Sequence, residues 1–167
     1  MDFINGGELF YHLKKDGRFE EERVRFYAAE CLLALEHLHT QGIIYRDLKP
    51  ENVLIDAEGH IKITDFGLSK VGLPINEQTS SFCGTPEYLA PEVIKGGGYS
   101  FGVDIWSLGL VVYEMLCGHH PFKLKNKNKY EKWQMIGDLN DPVQVPHHLS
   151  SKARNLLTGL LEKNVSS

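Results

Sequence analysis

The chain has 167 residues, of which 42% are apolar and 24% are charged, and this composition predicts one soluble globular domain. Its formal charge of −4 argues against nucleic-acid or bilayer binding, because surfaces that neutralise those phosphates are usually basic. Three well-separated cysteines, Cys31, Cys83 and Cys117, fit neither a disulfide framework nor a zinc knuckle, which suits a reducing compartment. The most apolar run, residues 105–117, is too short to span a membrane. We therefore expect a cytoplasmic or nuclear protein that inserts into no membrane.

The first half of the chain predicts two helices followed by a β-hairpin. A short helix is indicated over residues 7–15, and apolar residues at helical spacing predict a longer one over residues 20–41, opened by three glutamates. Two short β-prone runs follow, at residues 53–56 and 60–64. Gly59 between them can take the positive φ that a hairpin turn needs, so we expect an antiparallel pair.

The second half predicts a long irregular segment and three more helices. Residues 67–99 contain three prolines and a run of three glycines without a stable period, which indicates a mainly irregular and functional loop. Helical patterns return at residues 103–116, 130–136 and 150–162, the last with a serine at either of its first two positions as the N-cap.

Charged and amide side chains bracket the predicted hairpin. Asp47, Lys49 and Asn52 precede it, and Asp65 follows it. Because a hairpin returns the chain to its starting point, Asn52 and Asp65 should lie near each other, and two oxygen ligands suit magnesium carried by a nucleotide. Asp47 is then close enough to orient an incoming hydroxyl, and the Lys49 ammonium can offset charge on a moving phosphoryl group. This constellation predicts phosphoryl transfer.

Three linked motifs carry a family resemblance. The pattern R-D-x-K-x-x-N occupies residues 46–52, D-F-G residues 65–67 and A-P-E residues 90–92, in the order and approximate spacing of that family. The chain resembles a eukaryotic protein kinase. Tyr45, where most kinases have histidine, and the run F-C-G-T-P-E at residues 82–87 resemble the AGC group of serine/threonine kinases. The resemblance implies transfer of phosphate from ATP, with Mg²⁺, to serine or threonine of protein substrates.

The resemblance also implies a fold and its extent. It indicates a mainly α-helical (α+β) large lobe of a protein kinase with a small β-hairpin. Residues 1–167 would be a partial kinase domain with hinge, catalytic loop and activation segment, without the small lobe and the last helices of the large lobe. We expect a monomer with weak nucleotide binding and little turnover. The alternative is a non-catalytic substrate-docking or pseudokinase-like module, and a metal-dependent hydrolase is a more remote one.

Residue roles follow from the resemblance alone. It implies that Asp47 and Lys49 are catalytic and that Asn52 and Asp65 hold Mg²⁺. The positions that correspond to ATP contacts are Asp2, Ile4, Glu8, Glu51, Leu54 and Thr64.

The resemblance also assigns substrate contacts, to Glu8, Glu51, Thr85 and Glu114. The three glutamates imply substrates with arginine upstream of the phosphoacceptor, bound by bidentate pairing. For Glu8 and Glu114 the simpler reading, a surface or helix-capping carboxylate, stays open.

Ser81 lies two residues before Cys83, where the family carries its activation-loop phosphoacceptor. The resemblance implies that an upstream kinase modifies it and that Arg46 and Lys70 grip the phosphate. The neighbouring Ser80 and Thr79 remain alternatives.

Two further acidic residues correspond to structural positions of the family. Asp104 would hold the backbone of the catalytic loop, and an N-cap role is compatible with that. Glu92 would pair with an arginine of a segment that follows in family members. If the Glu92 carboxylate is buried without it, the cost is roughly 3 to 5 kcal/mol, and we expect a marginally stable fold.

Overall fold

The computed structural model describes residues 5–74, 77–122 and 125–164, so Asp2 and Ile4 lie outside the described residues. The helices are α1 (Leu9–Asp16), α2 (Glu21–Thr40), α3 (Pro91–Ile94), α4 (Gly102–Cys117), α5 (Lys129–Gly137) and α6 (Ser151–Leu160). A 3₁₀ turn at Pro50–Asn52 leads into strands β1 (Val53–Ile55) and β2 (Ile61–Ile63).

Helix α4 forms the centre of the core. Its residues are buried on nearly every side, and α2 and α6 pack against it. Helix α2 contributes only one face, with Val24, Tyr27, Cys31 and Leu35 buried, as its helical apolar spacing predicts. Helix α6 begins at the Ser150 N-cap, whose hydroxyl accepts a hydrogen bond from Ala153 N at 3.2 Å.

The hairpin has the predicted antiparallel pairing. Val53 lies opposite Ile63 and Ile55 opposite Ile61, and Gly59 turns the chain with a φ of 90°. The Asp56 carboxylate stabilises the turn, since it accepts hydrogen bonds from the backbone N–H groups of residues 58 and 60.

The segment from residue 67 to residue 99 is mostly irregular, but the prediction misses α3. Pro91 stands in the first turn of this short helix, where its fixed φ favours helical geometry. Two isolated β-bridges tie the segment down, between Ile44 and Lys70 and between Thr79 and Tyr99. The loop is therefore anchored near both ends.

The fold class agrees with the expectation of a mainly helical domain with one small hairpin. Strands β1 and β2 form the two-stranded sheet, and the helices together with buried loop residues such as Ile44, Tyr45 and Leu48 build the rest of the described core. Within the described ranges, no helix is long and apolar enough to cross a bilayer.

The contact of α4 with α6 yields a stability prediction. A Cβ on Gly109 would lie 2.9 Å from Leu160 Cβ and 2.8 Å from Leu161 Cδ2, whereas one on Gly159 meets nothing within 4 Å. Urea denaturation should show Gly109→Ala lowering the free energy of unfolding by about 1 to 2 kcal/mol, because overpacking outweighs the helix-propensity gain. Gly159→Ala is the matched control and should raise it by about 0.5 to 1 kcal/mol. Equal stabilisation by both substitutions would contradict this packing.

Candidate active site

The Asp47 carboxylate is held on both of its oxygens. Oδ1 accepts hydrogen bonds from Thr85 Oγ1 at 2.7 Å and from Thr85 N at 3.2 Å. Oδ2 accepts one from Asn52 Nδ2 at 3.0 Å and lies 3.0 Å from Lys49 Nζ. Only 5% of Asp47 is exposed, so these partners fix the direction of its carboxylate.

Lys49 and Thr85 form a second link of the same network. Lys49 Nζ donates a hydrogen bond to Thr85 Oγ1 at 2.8 Å, and that hydroxyl in turn donates to Asp47. Gly84 permits the approach of the two loops, because its φ is 112° and a Cβ there would lie 2.9 Å from the Arg46 carbonyl oxygen. The segment that carries Thr85 is thus locked onto the loop that carries Asp47.

The hairpin brings Asn52 and Asp65 to the same end of the sheet. Thr64 N donates to the Asn52 carbonyl at 2.9 Å, and Asp65 is the next residue along the chain. The Asn52 amide nitrogen is occupied by Asp47, which leaves its amide oxygen as the available group. The Asp65 backbone has a φ of 58° and its carboxylate is exposed. Clusters of three or more His, Cys, Asp or Glu that would cage a metal are absent from the described residues.

Asp104 connects α4 to the loop that carries Asp47. Its carboxylate is fully buried and accepts hydrogen bonds from Tyr45 N at 2.8 Å and Arg46 N at 2.7 Å. His39 Nε2 lies 2.8 Å from Oδ2, the oxygen that also accepts from Tyr45 N. Arg46 has a φ of 71°, an unfavourable conformation for a side chain with a Cβ, and these contacts maintain it.

The remaining ATP-related positions surround β1. Glu8 pairs with Leu54 in an isolated antiparallel bridge, and the Glu8 side chain is exposed at the start of α1. Leu54 and Thr64 are half-buried on β1 and just after β2. Glu8 therefore lies beside the middle of β1, and Thr64 lies at the open end of the hairpin.

Two of the predicted substrate residues form an acidic cluster around Tyr88. The Tyr88 hydroxyl donates a hydrogen bond to Glu114 Oε1 at 2.7 Å, and Glu51 Oε2 is buried without a partner among the described residues. Burial raises the pKa of Glu114 to about 7, and the nearby Glu51 charge adds to the shift, while the Tyr88 hydrogen bond opposes it. Neither carboxylate forms an ion pair within the described residues.

Ser81 is exposed and lies against Arg46. Arg46 Nη1 donates a hydrogen bond to Ser81 Oγ at 2.5 Å. Lys70 contributes main-chain bonds to Ile44, and its side chain makes no ion pair within the described ranges. Arg46 therefore contacts the Ser81 hydroxyl in the unmodified chain, and the contact of Lys70 with a phosphate on Ser81 stays a prediction.

Glu92 is half-buried in α3, and burial raises the pKa of its carboxyl above the ordinary value. No ion pair of Glu92 occurs in the described part of the chain. Its ionised form is therefore unfavourable in the folded state.

Sequence reasoning missed three residues that contact this network: His39, Tyr88 and Tyr99. Each acts through a partner that is 18 to 65 positions away in the sequence, so no local spacing signals it. A buried polar side chain can be recognised as such only when its tertiary partner is known.

Comparison with known proteins agrees with this geometry. Residues 1–167 match the family model of the protein kinase domain. The chain belongs to the protein kinase family. Protein kinase 2 of Dictyostelium discoideum is 56% identical over 165 residues, which cover 99% of this chain and 33% of that protein. The RAC family serine/threonine-protein kinase homolog of the same organism is 55% identical over 165 residues, 98% of this chain and 36% of the relative.

A third relative extends the comparison to an animal. Serine/threonine-protein kinase akt-1 of Caenorhabditis elegans is 54% identical over 164 residues, which cover 98% of this chain and 30% of that protein. The resemblance to AGC-type serine/threonine kinases is thereby confirmed. The kinase chain spans about a third of the length of these relatives.

The unpaired Glu92 of this kinase chain yields a prediction. Burial raises the pKa of Glu92 in the folded state. The contribution of Glu92 to the free energy of unfolding is therefore complete when the pH lies below the ordinary pKa of a glutamate carboxyl, and it is lost as the pH rises through the pKa of the folded state. Glu92→Gln should raise the melting temperature at neutral pH by roughly 2 to 4 °C after allowance for screening, and leave it unchanged near about pH 4. Thermal unfolding by circular dichroism measures both values.

The matched control is Glu36→Gln, at an exposed position on α2. It should leave the melting temperature unchanged at either pH. A Glu92→Gln variant that is less stable than the wild type at neutral pH would mean that an ionised Glu92 is favourable.

Proposed function

We propose that this chain is the catalytic-loop and activation-segment part of a serine/threonine protein kinase, and that the whole protein phosphorylates protein substrates from ATP. The observation that supports this best is the Asp47 carboxylate, which is oriented on both oxygens by Thr85, Asn52 and Lys49. Such orientation matters little for a carboxylate that merely ends a turn. It is what a group needs in order to position a substrate hydroxyl.

Asp47 would receive or orient the proton of the attacking hydroxyl. Its neighbour Lys49, with Nζ 3.0 Å from Asp47 Oδ2, supplies a positive charge beside that point. The ammonium would lower the energy of the negative charge that develops during transfer. Thr85 holds the two groups at this distance, because its hydroxyl bonds to both.

The oxygen ligands suit Mg²⁺ bound to a nucleotide. Asn52 has its amide oxygen available, and the Asp65 carboxylate is exposed one residue beyond the pairing partner of Asn52. Two protein oxygens are too few for a closed cage and suit an ion that keeps water and phosphate ligands. When bound, Mg²⁺–ATP supplies the transferable phosphoryl group.

The nucleotide itself would lie at the end of the hairpin. Leu54 offers an apolar surface for adenine, and Thr64, Glu8 and Glu51 lie around it as polar groups. Asp2 and Ile4 complete this proposed set from outside the described residues. We expect the 167-residue kinase chain alone to bind nucleotide weakly and to turn over little, as a partial kinase domain. A non-catalytic docking module is the second candidate, favoured by the acidic cluster alone.

Substrates with upstream arginine would fit the acidic cluster. Burial chiefly raises the pKa of Glu114, the charge of the nearby Glu51 adds to the shift, and Glu51 Oε2 has no donor within the described residues. A guanidinium offers paired N–H donors to both carboxylates. Glu8 would be a further acidic contact. An upstream kinase would phosphorylate Ser81, whose exposed hydroxyl lies beside Arg46.

Activity of the longer protein tests the proposed chemistry. The full-length kinase should incorporate radiolabelled phosphate into an arginine-containing peptide, and Asp47→Asn should lower kcat at least about 100-fold, because the proton acceptor is lost. The 167-residue chain should bind Mg²⁺–ATP weakly in isothermal titration and show little turnover.

The control is Asn140→Asp, which exchanges the same two side chains in the opposite direction at an exposed position between α5 and α6. This variant should leave kcat unchanged. Full-length Asp47→Asn with wild-type turnover would refute the catalytic role. A full-length wild type that binds the peptide but transfers no phosphate would favour the docking module.

The raised pKa of Glu114 predicts pH-dependent peptide affinity. Ionisation of Glu114 is unfavourable in the free protein, so the stability that it contributes is lost as the pH rises through about 7. A guanidinium requires the ionised carboxylate, and affinity for an arginine peptide should therefore rise up to about tenfold between about pH 6 and about pH 8. Fluorescence anisotropy measures the affinity.

Two controls isolate the effect. Glu114→Gln should bind more weakly and lose this pH dependence, and a peptide with neutral citrulline in place of arginine should bind weakly at every pH. The same pH slope in Glu114→Gln would assign the titration to another group.

A further inference from the structure

Tyr99 is the last residue of the mostly irregular segment 67–99, and its side chain contacts Ser81. Only 3% of Tyr99 is exposed, yet its hydroxyl contacts polar atoms of Arg46 and Ser81 and lies 3.9 Å from Cys83 Sγ. It donates a hydrogen bond to the Ser81 carbonyl oxygen at 2.5 Å and lies 3.3 Å from Ser81 Oγ. Its oxygen accepts a hydrogen bond from Arg46 Nη1 at 3.2 Å. We call Arg46, Ser81 and Tyr99 the Ser81 site.

The main chain of Tyr99 holds the same segment. Thr79 N donates to the Tyr99 carbonyl at 2.9 Å, and Tyr99 N donates to the Thr79 carbonyl at 3.0 Å. Residues 79–81 are thus fixed by one residue through both its backbone and its side chain. This is more than burial of an aromatic ring requires.

Arg46 is fixed just as firmly. Its Nε donates to the Leu68 carbonyl at 2.6 Å, and its backbone N–H is held by Asp104. Nη1 serves Ser81 and Tyr99, while Nη2 makes no hydrogen bond within the described ranges. The guanidinium therefore keeps free N–H donors beside an exposed serine hydroxyl.

We propose that Tyr99 is a positioning residue for a phosphate on Ser81. Its hydroxyl holds the Arg46 guanidinium and the Ser81 main chain, already before phosphorylation, in the positions that bind the phosphate. A phosphate on Ser81 Oγ carries a charge of about −1.5 to −2, and it forms charge-assisted hydrogen bonds with the free N–H groups of the Arg46 guanidinium. Because these groups are already ordered, phosphorylation of Ser81 reduces their conformational entropy only a little. The inference rests on the proposed modification of Ser81.

The test installs phosphoserine at position 81 of the 167-residue chain during translation, so that no upstream kinase is needed. The rate of dephosphorylation by a non-specific phosphatase is then compared in the wild type and in Tyr99→Phe. The variant should lose phosphate about 3 to 10 times faster, the range that one hydrogen bond supports. In ³¹P titrations its phosphate pKa should lie above the wild-type value, since Arg46 is less well positioned.

Tyr113→Phe is a closely matched control. Tyr113 is also 3% exposed and donates one hydrogen bond from its hydroxyl, to the Gln144 carbonyl at 3.1 Å, far from Ser81 in the sequence. It should leave both the dephosphorylation rate and the phosphate pKa unchanged. Equal effects of the two variants, or no effect of Tyr99→Phe, would overturn the proposal.

A comparison within the unmutated protein covers the case of a poorly folded variant. Phosphoserine at the exposed position 80 should be removed faster than phosphoserine at 81 and should show a higher phosphate pKa. Equal protection at 80 and 81 would overturn the proposal. Absence of Ser81 phosphorylation in cells would refute only the proposed regulation by an upstream kinase. The role of Tyr99 would still be tested, because the phosphoserine is installed during translation and needs no kinase.

Discussion

The buried carboxylate of Asp104 is the interaction on which the rest of the site depends. It projects from the first turn of the central helix, and its Oδ1 accepts from the backbone N–H of Arg46 while Oδ2 accepts from that of Tyr45 and lies beside His39 Nε2. The left-handed backbone conformation of Arg46 costs roughly 1 to 2 kcal/mol. The hydrogen bonds to Asp104 are what hold Arg46 in this conformation. The helix thereby sets the conformation of the loop that carries Asp47.

One strained residue, Arg46, connects the proposed catalytic site to the proposed phosphorylation site. The Arg46 backbone is held by Asp104 directly before Asp47, and its side chain reaches the activation segment at Ser81 and Tyr99. A charge added at Ser81 therefore acts on a residue whose neighbour is the proposed proton acceptor. Coupling by this route needs no large movement, since each contact already exists in the described structure.

The acidic groups of the site fall into two electrostatic classes. Asp47 has a donor on each oxygen, including a lysine ammonium, and its charge is compensated internally. Glu114 accepts a hydrogen bond from the Tyr88 hydroxyl, Glu51 Oε2 has no partner, and neither carboxylate forms an ion pair within the described ranges. Compensated carboxylates keep their geometry without a ligand, whereas an uncompensated pair gains most from a cationic one. This contrast separates a group suited to chemistry from groups suited to recognition.

The sequence by itself determined the local elements and the motif residues. Periodicity predicted the helices and the hairpin, and the spacing of Asp47, Asn52 and Asp65 around that hairpin indicated phosphoryl chemistry, because these signals lie within short segments. The tertiary structure alone decided that the Tyr99 hydroxyl contacts Ser81 and that His39 lies at the Asp104 oxygen that also accepts from Tyr45 N. Such contacts join distant segments, and their partners are chosen by how helices and loops pack rather than by any local pattern.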